Sequence, residues 1–348
     1  MREYNFKRNI LCIDLKSFFA SCECIERGLN PFSYPLVVAS KRNTDGAITL
    51  AITPYLKAMG IKSRSRLYEI PKDIKYDIVP PRMNLYISKS KEIIDIYLDF
   101  VSKEDLHVYS IDECFLDVTN YLKLYNTDDF HLAKMIMNTI YKKTGLTATC
   151  GIGPNMLMAK VAMDIESKHC KNNIAKWTYE DVEKKLWEIT PISKMWGIGF
   201  HLEKRLNELG LYKIKDIALC NKYKLKEEFG VIGEELWEHA NGIDTSTISK
   251  FNSTFKNAAI SMSQVLYKDY NEYNIDIILK EMTGKLIERL KHIHKKTKVI
   301  ALGITYSKDI GMSFYHSIKL DNPTDDFKII LNTFTLMFQK YYDNNPIR

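Results

Sequence analysis

The sequence predicts a multidomain α+β protein, and three observations support that prediction. Its 348 residues are too many for a single small core, so two to four domains are expected. Up to residue 170, strand-like and helical segments alternate, which predicts helices packed on one face of a sheet. Short helices with glycine punctuation follow, and the polar residues 244–256 then form a candidate linker to a C-terminal third with its own βαββα order.

The first 170 residues contain the predicted sheet and its helices. Short apolar runs predict strands over residues 9–14, 34–40, 108–118 and 147–153. Helical periodicity predicts helices over residues 17–27, 54–59, 85–101, 130–144 and 155–167. The helix over 54–59 has a proline in its first turn and a glycine directly after its end. Residues 41–46 (KRNTDG) are predicted as a loop.

The C-terminal third has separate patterns. Residues 258–267, 300–306 and 312–318 alternate as strands, and apolar stripes predict helices over residues 275–293 and 330–341. The resulting βαββα order lacks a closing strand. We therefore expect that the sequence is truncated at its C-terminus relative to a longer protein.

Composition favours a cytoplasmic protein. There is no run of eighteen apolar residues, and the polar N-terminus lacks the apolar core of a signal peptide. The seven cysteines are scattered through apolar surroundings, which predicts free thiols in a reducing compartment. Cys22 and Cys24 form the only close pair, and no second Cys or His pair stands at zinc spacing.

The charge balance favours a polyanionic partner. The net charge is +7, and residues 245–348 carry 15 Lys and Arg against 10 Asp and Glu. A basic C-terminal third suggests nucleic acid, although surface lysines without a binding role would give the same signal.

Two short stretches carry most of the functional signal, residues 13–19 (IDLKSFF) and 109–117 (YSIDECFLD). Each places carboxylates among apolar residues with strand-like alternation, where an isolated acid would be costly to bury. If folding brings Asp14 beside Asp112 and Glu113, the three like charges require a cation to neutralise them. This pattern predicts a magnesium site for phosphoryl transfer, and the alternative is a set of acids that cap strand ends.

These stretches resemble the signature motifs of the Y-family (UmuC/DinB-like) translesion DNA polymerases. Residues 151–162 (GIGPNMLMAKVA) and the Gly197-Ile198-Gly199 turn are similar to further family motifs, and residues 16–23 (KSFFASCE) are most similar to the UmuC-like branch. The resemblance covers essentially the whole chain. It implies a right-hand polymerase with a βαββαβ palm, small fingers, a helical thumb with a helix-hairpin-helix, and a βαββα little finger that lacks its last strand. The implied boundaries are 1–23 and 78–170 for the palm, 24–77 for the fingers, 171–243 for the thumb, and 257–348 for the little finger.

The resemblance also implies a set of site residues. Asp14, Asp112 and Glu113, with the backbone carbonyl of Leu15, would bind two Mg²⁺ ions, for which Mn²⁺ could substitute. Ser17, Phe18, Phe19, Lys57 and Lys160 would contact the nucleotide. Phe19 falls at the steric-gate position that excludes a 2′-hydroxyl, although both phenylalanines would also suit a core. Lys57 and Lys160 would neutralise the triphosphate.

The fingers depart from the family pattern. Family members often place a Tyr and an Arg, three residues apart, on the triphosphate, and this chain has Pro54 and Lys57 there. Lys57 keeps the charge, whereas the tyrosine hydroxyl is lost unless Tyr55 or Thr53 replaces it. Lys16 stands where DinB-type members carry a second acid, which UmuC-like members also lack.

The remaining implied contacts are to DNA. Gly197 and Gly199 would let backbone N–H groups approach a phosphate. Ser261, Ser263, Lys295 and Lys296 of the little finger would contact the template backbone, although a solvated helix end explains the lysines equally well.

Together these features predict a monomeric, template-directed DNA polymerase of the lesion-bypass type, whose partners are primer-template DNA and dNTPs. A sliding clamp is an expected partner of a full-length protein, but no clamp-binding motif precedes Arg348. Two alternatives remain open: a non-catalytic DNA-binding family member, and a nucleotide cyclase that shares the palm fold.

Overall fold

The computed structural model describes residues 8–40, 46–253, 259–307, 310–311 and 313–348, and the chain divides into two units, Met1–Thr254 and Phe255–Arg348. The described part of the first unit contains β1 (Ile10–Leu15), α1 (Phe18–Ile25), β2 (Leu36–Ala39), β3 (Thr49–Ile52), α2 (Pro54–Ala58), β4 (Asp77–Val79), α3 (Met83–Leu98), β5 (Leu106–Val108), β6 (Glu113–Asp117), α4 (Asp129–Thr144), β7 (Ala148–Gly153), α5 (Met156–Ile165), β8 (Ile174–Lys176), α6 (Phe200–Glu208), α7 (Ile214–Leu219), α8 (Lys222–Phe229), α9 (Val231–Ala240) and α10 (Ile248–Ser253). The second unit contains α11 (Ile275–His292), β9 (Thr297–Thr305), β10 (Ser313–Thr324) and α12 (Phe327–Tyr341).

A five-stranded sheet with the order β5-β6-β1-β7-β8 forms the centre of the first unit. β1 is the middle strand and is antiparallel to both β6 and β7, while β8 joins the edge parallel to β7. The predicted strands over 9–14, 108–118 and 147–153 all belong to this sheet. The sheet therefore brings together three segments that are far apart in the chain.

Helices cover both faces of this sheet, so the prediction of helices on one face is wrong. On one face, Leu11 and Ile13 belong to a core that includes residues of α1, α3 and α4. On the other face, Ile10 and Cys12 pack with Met156 and other residues of α5. Both alternating sets of β1 side chains are apolar, so burying the strand requires cover on both sides.

A second, three-stranded sheet has the order β3-β2-β4. It contains the predicted strand over 34–40, and α2 confirms the predicted helix over 54–59. Its core is small and includes Val37, Ile52 and Leu56. Residues 41–45 of the predicted loop lie outside the described residues.

Short helices α6 to α9 follow, as predicted for the chain after residue 170. They share one core with Trp177 and with the apolar residues of α5 that face away from the sheet, among them Leu157 and Val161. α5 therefore lies between two cores, the one against the central sheet and the one under the short helices.

Much of the predicted linker over 244–256 is packed within the first unit. Ile248, at the start of α10, is 3% exposed and packs against Ile10. Asp244 is buried, and its carboxylate accepts a hydrogen bond from the backbone N–H of Leu157 at 3.1 Å. The polar residues of this stretch therefore serve internal hydrogen bonds over 244–250, and residues 254–256 lie outside the described residues.

In the second unit, one face of the β9–β10 hairpin packs on α11 and α12, with Ile300, Phe334 and Met337 in the shared core. The predicted strand over 258–267 is wrong for the described residues 259–267, which lie in no strand. Ile347 forms antiparallel bridges with both Tyr270 and Tyr306, a closing pairing that was not predicted because a single bridge has no periodicity. Within the described ranges, no helix is long and apolar enough to cross a membrane.

Candidate active site

The three predicted acids lie at one end of the two central strands. In the register of β1 with β6, Asp14 stands directly opposite Glu113. The backbone N–H of Leu15 donates to the carbonyl of Asp112 at 3.0 Å. Because opposite residues of an antiparallel pair point to the same face, Asp14 and Glu113 share one face of the sheet. Two motifs about a hundred residues apart thus form one acidic site.

The ionised form of Asp14 is destabilised in this site. The pKa of Asp14 is raised from 3.8 to about 7, mainly by burial and also by the charges of Asp112 and Glu113, while the charges of Lys168 and Lys160 lower it. A carboxyl that gains a proton near neutral pH would favour a cation that replaces that proton.

Glu113 is held by groups other than a metal. Lys160 Nζ donates to Glu113 Oε2 at 2.9 Å, and the Cys12 thiol donates to Oε1 at 3.2 Å. Lys160 also pairs with Asp164 at 2.9 Å and is 10% exposed. Burial alone would lower the pKa of Lys160, but Cys12, Glu113 and Asp164 hold it above its ordinary value. Lys160 is therefore a paired, buried cation and does not project freely as a triphosphate ligand would.

The donor set suits a hard divalent cation, although the side chains are not gathered around one point. Carboxylate oxygens and a backbone carbonyl are the ligands that Mg²⁺ prefers. Among the described residues, no three His, Cys, Asp or Glu side chains stand close enough to hold one ion together. Glu113 is engaged by Lys160, and Asp112 Oδ1 accepts a hydrogen bond from Ser110 Oγ at 2.7 Å.

Two glycines explain how Lys160 reaches the acids. A Cβ added at Gly151 would lie 2.0 Å from the carbonyl oxygen of Ala159, and one at Gly153 would lie 2.4 Å from its backbone nitrogen. Only glycine allows β7 to approach α5 this closely. The close contact fixes Lys160 of α5 beside Glu113.

Two further lysines, Lys57 and Lys168, lie near the acids, and Lys16 lies near both of them. Burial lowers the pKa of Lys57, as does nearby Lys168, whereas Asp14 and Asp112 raise it. Burial also lowers the pKa of Lys16, as do Lys168 and Lys57, and Lys16 Nζ donates to a neutral group, Asn173 Oδ1. Lys57 is thus near Asp14 and Asp112. Lys168 was not among the predicted site residues, and its position just beyond the helix that contains Lys160 is the one feature of the sequence that could have indicated it.

The two phenylalanines of the first motif have different surroundings. Phe18 is 2% exposed and belongs to the core, while Phe19 is only partly buried. Ser17, just before α1, has a left-handed backbone with φ of 48°, which is unusual for a residue other than glycine. Phe19 is therefore the ring with an open side, and Phe18 has no surface to offer a nucleotide.

The fingers residues are placed as follows. Thr53 is fully buried, and its Oγ1 accepts a hydrogen bond from the N–H of Leu36 at 3.3 Å, so it is structural. Pro54 begins α2, where its missing N–H has no cost. Tyr55 is 36% exposed and is the residue of this group with a free surface.

The predicted DNA contacts are at the surface. Gly197, with φ of +94°, and Gly199 are exposed, and a Cβ at either position would meet nothing within 4 Å. The preceding Trp196 donates from Nε1 to the Tyr109 hydroxyl at 3.1 Å, which joins the turn to the segment between β5 and β6. In the second unit, the predicted contacts are likewise exposed: Ser261, Ser263, Lys295 and Lys296.

Comparisons with known proteins cover nearly all of the chain. Residues 13–164 match the impB/mucB/samB family, residues 179–211 the IMS family HHH motif, and residues 258–348 the C-terminal domain of the impB/mucB/samB family. The "Putative UV-damage repair protein UvrX" of Bacillus subtilis is 40% identical over 98% of this chain and 81% of its own length. DNA polymerase IV 2 of the same organism is 31% identical over 97% of this chain and 82% of its own length.

A solved structure has the same fold. The chimera named "Y-family DNA polymerase chimera Dbh-Dpo4(243-245)-Dbh" superposes with a TM-score of 0.72 at 22% identity, over 97% of this chain and 96% of the chimera. This likeness agrees with the α+β fold and with the helix-hairpin-helix that the sequence predicts.

Proposed function

Because the chain belongs to the Y-family of DNA polymerases, the impB/mucB/samB family, we propose that it is a template-directed DNA polymerase of the lesion-bypass type. The reaction would be attack of a primer 3′-hydroxyl on the α-phosphate of a deoxynucleoside triphosphate, with release of pyrophosphate. Base pairing with the template would choose the nucleotide. The family membership removes the nucleotide cyclase alternative.

One observation carries the catalytic proposal, the register that places Asp14 opposite Glu113 with Asp112 beside Leu15. A member that had lost catalysis would have no need to keep three acids at a site where burial raises the pKa of Asp14 to about 7. The free energy cost of this arrangement indicates a function.

Asp14, Asp112, Glu113 and the Leu15 carbonyl would hold two Mg²⁺ ions, which would promote deprotonation of the primer hydroxyl and neutralise the triphosphate. The residues of the chain perform the remaining tasks. Lys160 would keep Glu113 in place, since it is paired with that carboxylate already. Lys57 and Lys168 lie near Asp14, and both side chains reach solvent even though the surrounding protein partly desolvates Lys57, so they would bind the triphosphate oxygens.

The partly buried ring of Phe19 would lie beneath the incoming sugar, and the backbone beside Ser17 would complete the nucleotide site. Gly197 and Gly199 would bind the DNA backbone through exposed N–H groups. All seven cysteines are free in the described structure, which supports a cytoplasmic site of action.

The test is primer extension by the purified chain with Mg²⁺, on undamaged and abasic templates. Asp112→Asn removes a charge while keeping the shape of the side chain. We expect it to lower the extension rate by more than about 100-fold, the upper end of the cost of losing an outer-shell partner of a metal site.

A matched control is available on the same strand. Asp117 lies at the far end of β6, and its carboxylate accepts hydrogen bonds from the Thr119 N–H and hydroxyl. Asp117→Asn should retain extension. An Asp112→Asn protein that extends primers as well as Asp117→Asn would contradict the catalytic assignment. A wild-type chain that binds primer-template without extending it would support the non-catalytic alternative.

A further inference from the structure

A fully buried carboxylate lies next to Phe19 on the same helix. Glu23 has no exposed surface and belongs to α1, one turn beyond Phe19. Arg82 donates to it from Nε at 3.0 Å and from Nη2 at 2.7 Å, and Arg27 forms a close ion pair with it. Burial alone would raise the pKa of Glu23, but these arginines and Tyr86 keep it below its ordinary value. The carboxylate is therefore charged and fixed in position.

Tyr86 joins this carboxylate to Phe19. Its hydroxyl donates to Glu23 Oε1 at 2.7 Å, and its ring stacks on Phe19 with the centroids 4.5 Å apart and the planes 19° apart. Phe19 and Glu23 are four residues apart in α1, so they face the same direction. Tyr86 comes from α3 and contacts both of them, one through its ring and the other through its hydroxyl.

We propose that Tyr86 and Glu23 are positioning residues that hold Phe19 in one orientation, and that they thereby set how strongly the site discriminates deoxyribose from ribose. The inference rests on the proposed function and deepens it. Phe19 acts on the sugar, whereas Tyr86 and Glu23 act only through Phe19.

Phe19 needs positioning residues because its ring is only partly buried. A core phenylalanine such as Phe18 is held by contacts on all sides, whereas a partly buried ring can change rotamer toward its open side. Sugar discrimination is a difference between two closely similar substrates, so it depends on sub-ångström placement of the excluding ring. The ring of Tyr86 covers one face of Phe19. The charge-assisted hydrogen bond from the Tyr86 hydroxyl to Glu23 fixes Tyr86 in that position.

The most direct test is Tyr86→Phe, which keeps the stacked ring and removes only the hydroxyl that reaches Glu23. The measurement is kcat/KM for one dNTP and for the matching rNTP, opposite the same template base. We expect the dNTP-to-rNTP ratio to fall about tenfold, which corresponds to about 1.4 kcal/mol, with a smaller change in kcat/KM for the dNTP. Glu23→Gln keeps an acceptor for the hydroxyl but loses the charge, so its ratio should fall less.

Tyr34→Phe is the matched control. The Tyr34 hydroxyl donates to Asp77 Oδ2 at 2.6 Å, so this substitution also removes a tyrosine–carboxylate hydrogen bond, one that involves neither Phe19 nor Glu23. Its ratio should equal that of the wild type. A urea titration of each variant separates altered selectivity from loss of folded protein.

A double-mutant cycle distinguishes positioning from a purely structural role. In a Phe19→Ala background there is no ring to hold, so adding Tyr86→Phe should leave the ratio unchanged. Two results would overturn the inference: an unchanged ratio in folded Tyr86→Phe and Glu23→Gln, or an equal fall in the ratio with and without Phe19. A wild-type chain that incorporates neither dNTP nor rNTP would instead contradict the proposed function.

Discussion

At Asp14, burial and two neighbouring acids act against ionisation. The pKa of this carboxyl rises from 3.8 to about 7 on folding, so the folded chain binds a proton that the unfolded chain has released over that interval. Stability therefore falls as pH rises from about 4 to about 7, by at most about 1.4 kcal/mol per pH unit for one proton. This is the opposite of the ordinary behaviour of a salt-bridged aspartate.

We predict that the metal-free chain loses stability between about pH 4.5 and about pH 7 by more than Asp14→Asn does, because the amide has no proton to lose. Urea titrations across this range, with a chelator present, measure the difference. Mg²⁺ should stabilise the wild type at neutral pH and have little effect on Asp14→Asn, since it binds the folded, ionised site. Parallel pH curves for the two proteins would show that Asp14 is not the titrating group.

Lys160 and Lys168 should respond differently to substitution. Lys160 is 10% exposed and paired with Glu113, which is itself buried. Lys160→Met would leave that carboxylate without its cation, and we expect a loss of about 3–5 kcal/mol in the free energy of unfolding. Lys168 is 46% exposed, so Lys168→Ala should change stability by less than about 0.5 kcal/mol.

Lys168 should also contribute to nucleotide binding. Lys168→Ala should raise KM for dNTP about tenfold, because the triphosphate site loses a cation near Asp14. Steady-state primer extension measures KM, and urea titration measures stability. If Lys168→Ala left KM unchanged, or if Lys160→Met left stability unchanged, the assignment of the two lysines would be wrong.

At the scale of elements, the contact between β7 and α5 determines where the site forms. A methyl group at Gly151 would lie 2.0 Å from the Ala159 carbonyl oxygen and 2.4 Å from the Met163 backbone nitrogen. Both atoms belong to the backbone of α5, which cannot move away as a flexible side chain could. We predict that Gly151→Ala costs more than about 3 kcal/mol, the upper end for overpacking. Calorimetric unfolding measures the loss.

Gly284 in α11 is the control for this substitution. A Cβ there meets nothing within 4 Å, and the residue lies inside a helix. Gly284→Ala should therefore stabilise its unit by about 0.5–1 kcal/mol. Destabilisation by both substitutions to a similar degree would show that the close approach at Gly151 is not the cause.

The elements that can be predicted from the sequence are those long enough to show a period. Helices α3, α4 and α5 are recognisable from their apolar stripes, and β1 and β7 from their apolar runs. Four strands cannot be recognised from the sequence, β3, β4, β5 and β8, because they have three or four residues each, too few for a periodic signal. Residues 259–267 alternate like a strand, but no strand of the described residues pairs with them, and strand propensity depends on such a partner.

The candidate site is only partly predictable for a related reason. The acids can be assigned because both motifs lie on strands, and strands of one sheet bring distant residues together. Which of the two lysines, Lys160 or Lys168, pairs with Glu113 depends on which face of α5 lies against that carboxylate. The close approach of β7 to α5 at Gly151 and Gly153 fixes that face. The role of Tyr86 depends on packing between α1 and α3, of which the sequence gives no sign.

At the scale of the whole molecule, charge should govern affinity for DNA. The net charge of +7 and the basic composition of residues 245–348 favour binding to phosphates without regard to sequence. Lys295 and Lys296 are exposed in the turn just after α11, and the carboxylate of Asp325 lies 4.0 Å from Lys296 Nζ, at the limit of an ion pair. Both side chains are thus available to a phosphate backbone.

We predict that Lys295→Ala and Lys296→Ala weaken primer-template binding and lower the slope of log Kd against log salt by about 0.9 for each phosphate that the variant no longer neutralises. Fluorescence anisotropy at several salt concentrations measures the slope. Lys285→Ala is the control within α11 itself, because Lys285 is already paired with Glu281 at 2.5 Å, and it should leave the slope unchanged. Equal slope changes for all three lysines would mean that only net charge matters, whereas a selective decrease would locate the phosphate contacts at the end of α11. The same substitutions should affect damaged and undamaged templates alike, since contacts to the backbone carry no information about the bases.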